Sequence, residues 1–300
     1  MFETFIHKLR NGTYITLETT PSRSAQFAPT VDKIEALGLH RLVDGFSTTD
    51  NPLAKLKYNA LFAAQMLQNR FHKPTLATMS MRDRNRIALQ SDLLGANEAG
   101  VRAILALTGD SAHYSDQPHA KGVFEGNSKL LLDIITTLNN GTDFAEQKLL
   151  APVQEIYPFA VIDSYAKSAA TLQKKMTKKV AHGAIGIISQ PVYDLENAKK
   201  LLAMMEAANA ENNAQCVLIL GYFPITKLRT ARFLDENVPG IFVPHEWVEA
   251  LEAASLISPE EEYRVGFELS KNLFEELKAL HPKIHIMTAN QFELAKAILS

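Results

Sequence analysis

Strand-length apolar runs alternate with longer segments of helical period along nearly the whole chain. The runs are Tyr14 to Thr19, Arg41 to Thr48, Lys73 to Ser80, Val101 to Thr108, Leu149 to Gln154, Ala184 to Gln190, Gln215 to Tyr222 and Lys283 to Thr288. Helical period fills Thr30 to Gly38, Pro52 to Asn69, Asp83 to Ala99, Ser164 to Ala181, Leu195 to Ala208, Ile225 to Glu236, Glu260 to Leu280 and Asn290 to Leu299. Strands apolar throughout must be covered on both faces, which means a parallel sheet joined by helices. About eight such units in 300 residues, with no linker between them, point to one closed (β/α)8 barrel, a TIM barrel, spanning residues 1–300 as a single domain.

Composition excludes several classes. Basic and acidic residues nearly balance, at 31 and 33. Such a surface gives no electrostatic case for nucleic acid or an anionic membrane as partner. The single cysteine, Cys216, cannot form an internal disulfide or a thiolate metal site, and it reads as a small apolar strand residue. The histidines show no ligand spacing, so no metal is expected; His285, inside the last strand, reads as a hydrogen-bonded interior residue. Neither a signal peptide nor a membrane span is visible, so the expected location is cytoplasmic. GxGxxG and GxxxxGK[ST] phosphate loops are absent.

In such barrels the active site forms where the strands end. Glu18, Thr48, Thr49, Asp50, Thr78, Ser80, Thr108, Gly109, Asp110, Gln190 and Thr288 fall at those ends. Glu18, Asp110 and Gln190 are expected to ring one cavity. Two carboxylates in one pocket can divide labour, one as a proton donor and one as a fixed charge. Asp110 can equally cap a helix or form a turn after Gly109, and Gln190 can bond a neighbouring backbone group. Ser111 to Asn127 is long for a βα loop and reads either as a surface insertion or as a lid. Arg82 to Arg86 reads as a solvated first helical turn. Lys174 to Lys179 reads as an exposed helix face, with contact between Lys179 and a phosphate as the alternative.

Taken in order, LETTPSR (Leu17 to Arg23), STTDNP (Ser47 to Pro52), MRDRNR with LQSDLLGANEAGVRAILALTGD (Leu89 to Asp110), KKVAHGAIGIISQPVYD (Lys178 to Asp194), GYFPI, VPGIFVP and IHIMTANQFE (Ile284 to Glu293) resemble the methylenetetrahydrofolate reductase family. The resemblance implies reduction of 5,10-methylenetetrahydrofolate to 5-methyltetrahydrofolate on FAD, with NADH or NADPH as donor, feeding methionine synthesis. It gives Glu18 the role of general acid and places Asp110 near flavin and folate. Thr49, Asp50, Thr75, Thr108, Gly109 and Lys179 fall on the cofactor side, and Gln190 and Thr288 on the substrate side. It also implies a possible homo-oligomer. Thr75 stands for a family histidine, Leu172 for an aspartate, Leu228 near an aromatic, and Gln291 for an arginine. The alternatives are a flavin-independent folate enzyme of the same fold and a non-catalytic folate- or methyltransferase-binding barrel.

Overall fold

The computed structural model describes all 300 residues. Eight parallel strands close on themselves in chain order: β1 (Tyr14–Thr19), β2 (Gly45–Thr48), β3 (Thr75–Ser80), β4 (Ala103–Leu107), β5 (Tyr157–Ile162), β6 (Gly186–Pro191), β7 (Val217–Tyr222) and β8 (Lys283–Ile286). β8 pairs with β1 in the register Thr16 to His285, which shuts the barrel. Around it run α2 (Ala28–Ala36), α3 (Ala60–Phe71), α4 (Arg86–Glu98), α5 (Ser128–Asn139), α6 (Ala169–Ala181), α7 (Leu195–Asn212), α8 (Leu228–Asn237), α9 (His245–Ser255), α10 (Pro259–Leu280) and α11 (Phe292–Leu299). The expected TIM barrel is the fold. No helix is long and apolar enough to cross a membrane.

Side chains alternate across each strand, and the alternation sorts them into two cores. On β4, Ile104 and Ala106 face the helices, whereas Ala103 and Leu105 face the barrel interior. Phe159 and Ile219 fill the interior with Leu105. Gly186 makes this possible, because a Cβ there would sit 2.6 Å from the Phe159 ring. Beneath the strands lies a helix the periodicity did not suggest, α1 (Phe2–Asn11). Its Phe2, Phe5 and Leu9 join the interior cluster, with the Phe5 ring 5.3 Å from Tyr14 and 5.9 Å from Phe159. The floor of the barrel is therefore plugged.

The fifth strand departs from expectation. Leu149 to Gln154 is not a strand: Leu149 N–H bonds Gly141 O in a turn, and the Asn97 amide grips both backbone groups of Gln154. β5 lies further on, across Tyr157–Ile162, and Pro158 disguised it. Proline is unusual inside a parallel sheet. Here it is the second strand residue, and its carbonyl still accepts from Ile185 N–H. Helix α3 also begins late. Pro52–Ala54 is a 3-10 turn, and the Asn59 side chain caps the helix by accepting from Leu61 and Phe62 N–H. Helices α5 and α9 fall where no helix was expected.

Candidate functional site

The ends of the strands enclose a cavity of about 360 Å³, within the usual range for small-molecule sites. Alternation explains its lining. Thr16 and Glu18 on β1, Leu76, Thr78 and Ser80 on β3, and His285 on β8 share the inward parity of their strands. Glu18, Thr78, Ser80 and His285 reach the cavity, together with Met287 just past β8.

Glu18 projects into the mouth with its Oε2 3.9 Å from His285 Nε2. His285 is buried and held from two sides. Its Nδ1 shares a 2.7 Å hydrogen bond with the Thr16 hydroxyl, and its Nε2 lies 3.4 Å from Ser47 Oγ. The interior, hydrogen-bonded histidine read from the sequence is thus also an ionisable neighbour of the carboxylate expected to act as an acid.

Gln190 reaches the same cavity through a β-bulge. The register between β6 and β7 shifts between Ile188 and Pro191, so that Ser189 and Gln190 both line the mouth. Ser189 Oγ donates to Gln190 O and accepts from Gly221 N–H, which pins the bulge. Gly221 is required there, since a Cβ would lie 2.1 Å from Ser189 O.

Asp110 lines the rim, exposed, and its Oδ2 accepts a 2.6 Å hydrogen bond from Leu53 N–H. Gly109 before it has φ +91°, and a Cβ there would meet Arg82 Cβ at 3.0 Å and Ser80 Cβ at 3.1 Å. Its freedom serves the packing of the β4 end on the β3 end. Asp50 borders the cavity but is engaged elsewhere: its Oδ2 accepts from Ser80 N–H at 3.0 Å and from Arg84 Nη1 at 2.6 Å. Burial works against the charge on Arg84, but Asp50 and Asp92 outweigh it and hold the guanidinium above its ordinary value.

Two expected site residues do not reach the cavity. Thr75 starts β3, at the opposite end of the strand, and lies on the outward parity beside Leu76. Three residues on, Thr78 occupies the position that faces the mouth. Thr288 follows Met287 and is buried outside the cavity lining. Arg82 and His285 line the mouth although neither was counted among the strand-end residues, and Thr78 and Ser80, which were, join them there. Their signal was present as period two: Leu76, Thr78, Ser80 and Arg82 alternate with Ala77, Met79 and Met81. Arg82 is not a solvated helical turn. Helix α4 starts only at Arg86, capped by Asn85, and the Arg82 side chain is 3% exposed.

A second cavity of about 410 Å³ opens from the first. The two share Thr108, Ser128, Val161, Lys179 and Gln190 as a common wall. The outer lobe is cationic, with Lys129, Lys175, Lys178 and Lys179 around the first turn of α5. Lys175 pairs with Asp163 at 2.8 Å. Burial pushes the Lys179 amine down to about 8, Asp163 partly opposes this, and Lys175 adds to it. The lysine run is thus not simply an exposed helix face. Two joined lobes, one with a carboxylate and polar side chains and one with ammonium groups, suit an elongated ligand with a ring at one end and anionic groups at the other.

A family model described as methylenetetrahydrofolate reductase matches residues 5–300. No curated protein matches the chain. Among solved structures, an uncharacterised Clostridium thermocellum protein described as binding two copies of 5-methyl-5,6,7,8-tetrahydrofolic acid is 16% identical, over 98% of this chain and 97% of that one, with a TM-score of 0.64. Oxaloacetate acetylhydrolase is 14% identical, over 98% of this chain and 82% of that one, with a TM-score of 0.51. At these identities both structures show a shared fold.

Proposed function

Because the chain belongs to the methylenetetrahydrofolate reductase family, we propose that its mouth reduces 5,10-methylenetetrahydrofolate to 5-methyltetrahydrofolate, with FAD as cofactor and a reduced pyridine nucleotide as donor. The observation that carries the reading is Glu18 inside the cavity, backed by His285 and sharing the pocket with Gln190.

The substrate carbon must become electrophilic before it can accept a hydride. Glu18 supplies the proton to the folate nitrogen N10 as its bond to the bridging carbon breaks, leaving an iminium at N5. Thr16 and Ser47 fix the His285 ring, and His285 steadies the Glu18 carboxyl on the inner side of the mouth. Gln190, presented by the bulge, offers an amide to the folate ring. The 5-methyl product would feed methionine synthesis.

The residues present fit FAD. Thr49 Oγ1 is buried with no partner, and the Thr49 side chain borders the cavity. Lys178 and Lys179 form no ion pair within the chain, which leaves both for a diphosphate in the outer lobe. Thr108 and Gly109 would lie along the cofactor between the two lobes. When bound, FAD would supply the hydride.

One observation favours a second reading. Leu172, where some relatives carry an aspartate, is buried in the outer apolar core and offers the cofactor nothing. The two lobes would then hold two folates, as the Clostridium thermocellum protein is described as doing, and catalysis would be flavin-independent. An absorbance spectrum followed by anaerobic NADH and then methylenetetrahydrofolate separates the two. Bleaching by the nucleotide and recolouring by the folate supports the flavin enzyme. A colourless protein that takes up no FAD yet binds 5-methyltetrahydrofolate supports the second.

A further inference from the structure

The β3 end of the mouth carries polar groups that neither the fold nor the chemistry above uses. Six buried polar side-chain atoms lack a hydrogen-bond partner, and two of them, Ser80 Oγ and Thr49 Oγ1, belong to residues of the cavity wall. Ser80 is 1% exposed. A buried hydroxyl left unpaired is unfavourable, and each such group asks for an explanation. Beside it stands the buried guanidinium of Arg82. Its Nε and Nη2 donate to Asp83, and Nη2 also donates to Asn51 O. No hydrogen bond engages Nη1. Gly109, next to both, has no side chain to wedge between them and a ligand.

We propose that Ser80 and Arg82 form a recognition edge for a heterocyclic amide, the N–H and C=O edge that isoalloxazine and pterin rings share. The proposal rests on the folate reading above. A serine hydroxyl can donate to a ring carbonyl or accept from a ring N–H. Arg82 adds a donor that bears full charge and cannot be deprotonated, so it also stabilises the ring when reduction makes it electron-rich.

The test is Ser80→Ala. That hydroxyl has no partner in the protein, so its loss leaves the melting temperature unchanged or slightly raised. FAD and 5-methyltetrahydrofolate are titrated separately into wild type and variant. The expected result is about fivefold weaker binding of one of them, the size of one hydrogen bond, and the ligand affected identifies the ring that occupies the edge. Arg82→Gln should weaken the same ligand by about tenfold or more. If the ring is flavin, the reduced form should lose more affinity than the oxidised form. Superimposable titrations for wild type and Ser80→Ala overturn the proposal. So does equal weakening of both ligands with a matching fall in melting temperature, which marks a structural role. Wild-type protein that binds neither ligand sinks the folate reading itself.

Discussion

At the scale of single residues, the mouth separates groups that act from groups that hold. Glu18 has no hydrogen-bond partner within the chain and faces the cavity, so Glu18→Gln should fold normally and still bind ligand. Folate-dependent turnover should fall by about 100-fold or more, the usual size of a lost general acid. Steady-state kinetics beside a melting curve measures both; turnover within a few-fold of wild type would remove Glu18 from the mechanism. Asp50 is the opposite case. It ties Ser80 N–H to Arg84, so Asp50→Asn should lower stability, because a buried guanidinium loses one of its two counter-charges and keeps only the more exposed Asp92. Gly109 combines both roles. Gly109→Ala places a side chain at φ +91°, 3.0 Å from Arg82 Cβ, and should cost about 1–2 kcal/mol in chemical denaturation. It should also disturb the Ser80 and Arg82 edge.

At the scale of elements, the lysine arm and the floor helix make separable predictions. The α6 arm holds Lys179 with an amine pushed down to about 8. Below that pH the amine is charged and attracts an anionic group; above it the charge is lost. Affinity for FAD should therefore fall as pH rises from about 7 to 9, and Lys179→Met should flatten that dependence. Equilibrium titration across this range decides it: a dependence unchanged in the variant removes Lys179 from the site. Helix α1 supplies no residue to either lobe of the cavity. Phe5→Ala empties a seat between the Tyr14 and Phe159 rings and should cost about 3–5 kcal/mol while leaving ligand affinity intact in the fraction that stays folded.

The same scale explains what could be read in advance. Continuous apolar strands such as Val101 to Thr108 announce themselves because both faces are buried. Tyr157–Ile162 did not, because Pro158 carries a strong local signal against strand that tertiary pairing overrides. Thr75 and Thr78 show the other limit. Both sit in one correctly placed strand, yet a side chain's face is fixed by register, and an odd offset reverses it. Glu18 and Gln190 were legible because they end strands. Arg82 continues the period of β3 one step past its end, but its burial was not legible, because Asn51 O, which its guanidinium binds, follows a different strand.

At the scale of the whole molecule, β1 and β8 bring together residues 269 positions apart in the Thr16–His285 bond, and only barrel closure puts Glu18 beside its histidine. Sequence order alone could not show that contact. The plug formed by Phe2, Phe5 and Leu9 has a consequence at the opposite end. With the floor sealed, every molecule that reaches Glu18 enters and departs through one doorway. On the proposed function, a donor and a folate would both come to that carboxylate from the same side. The apolar helix at the base thus limits the direction of traffic at the mouth without touching any of the passengers.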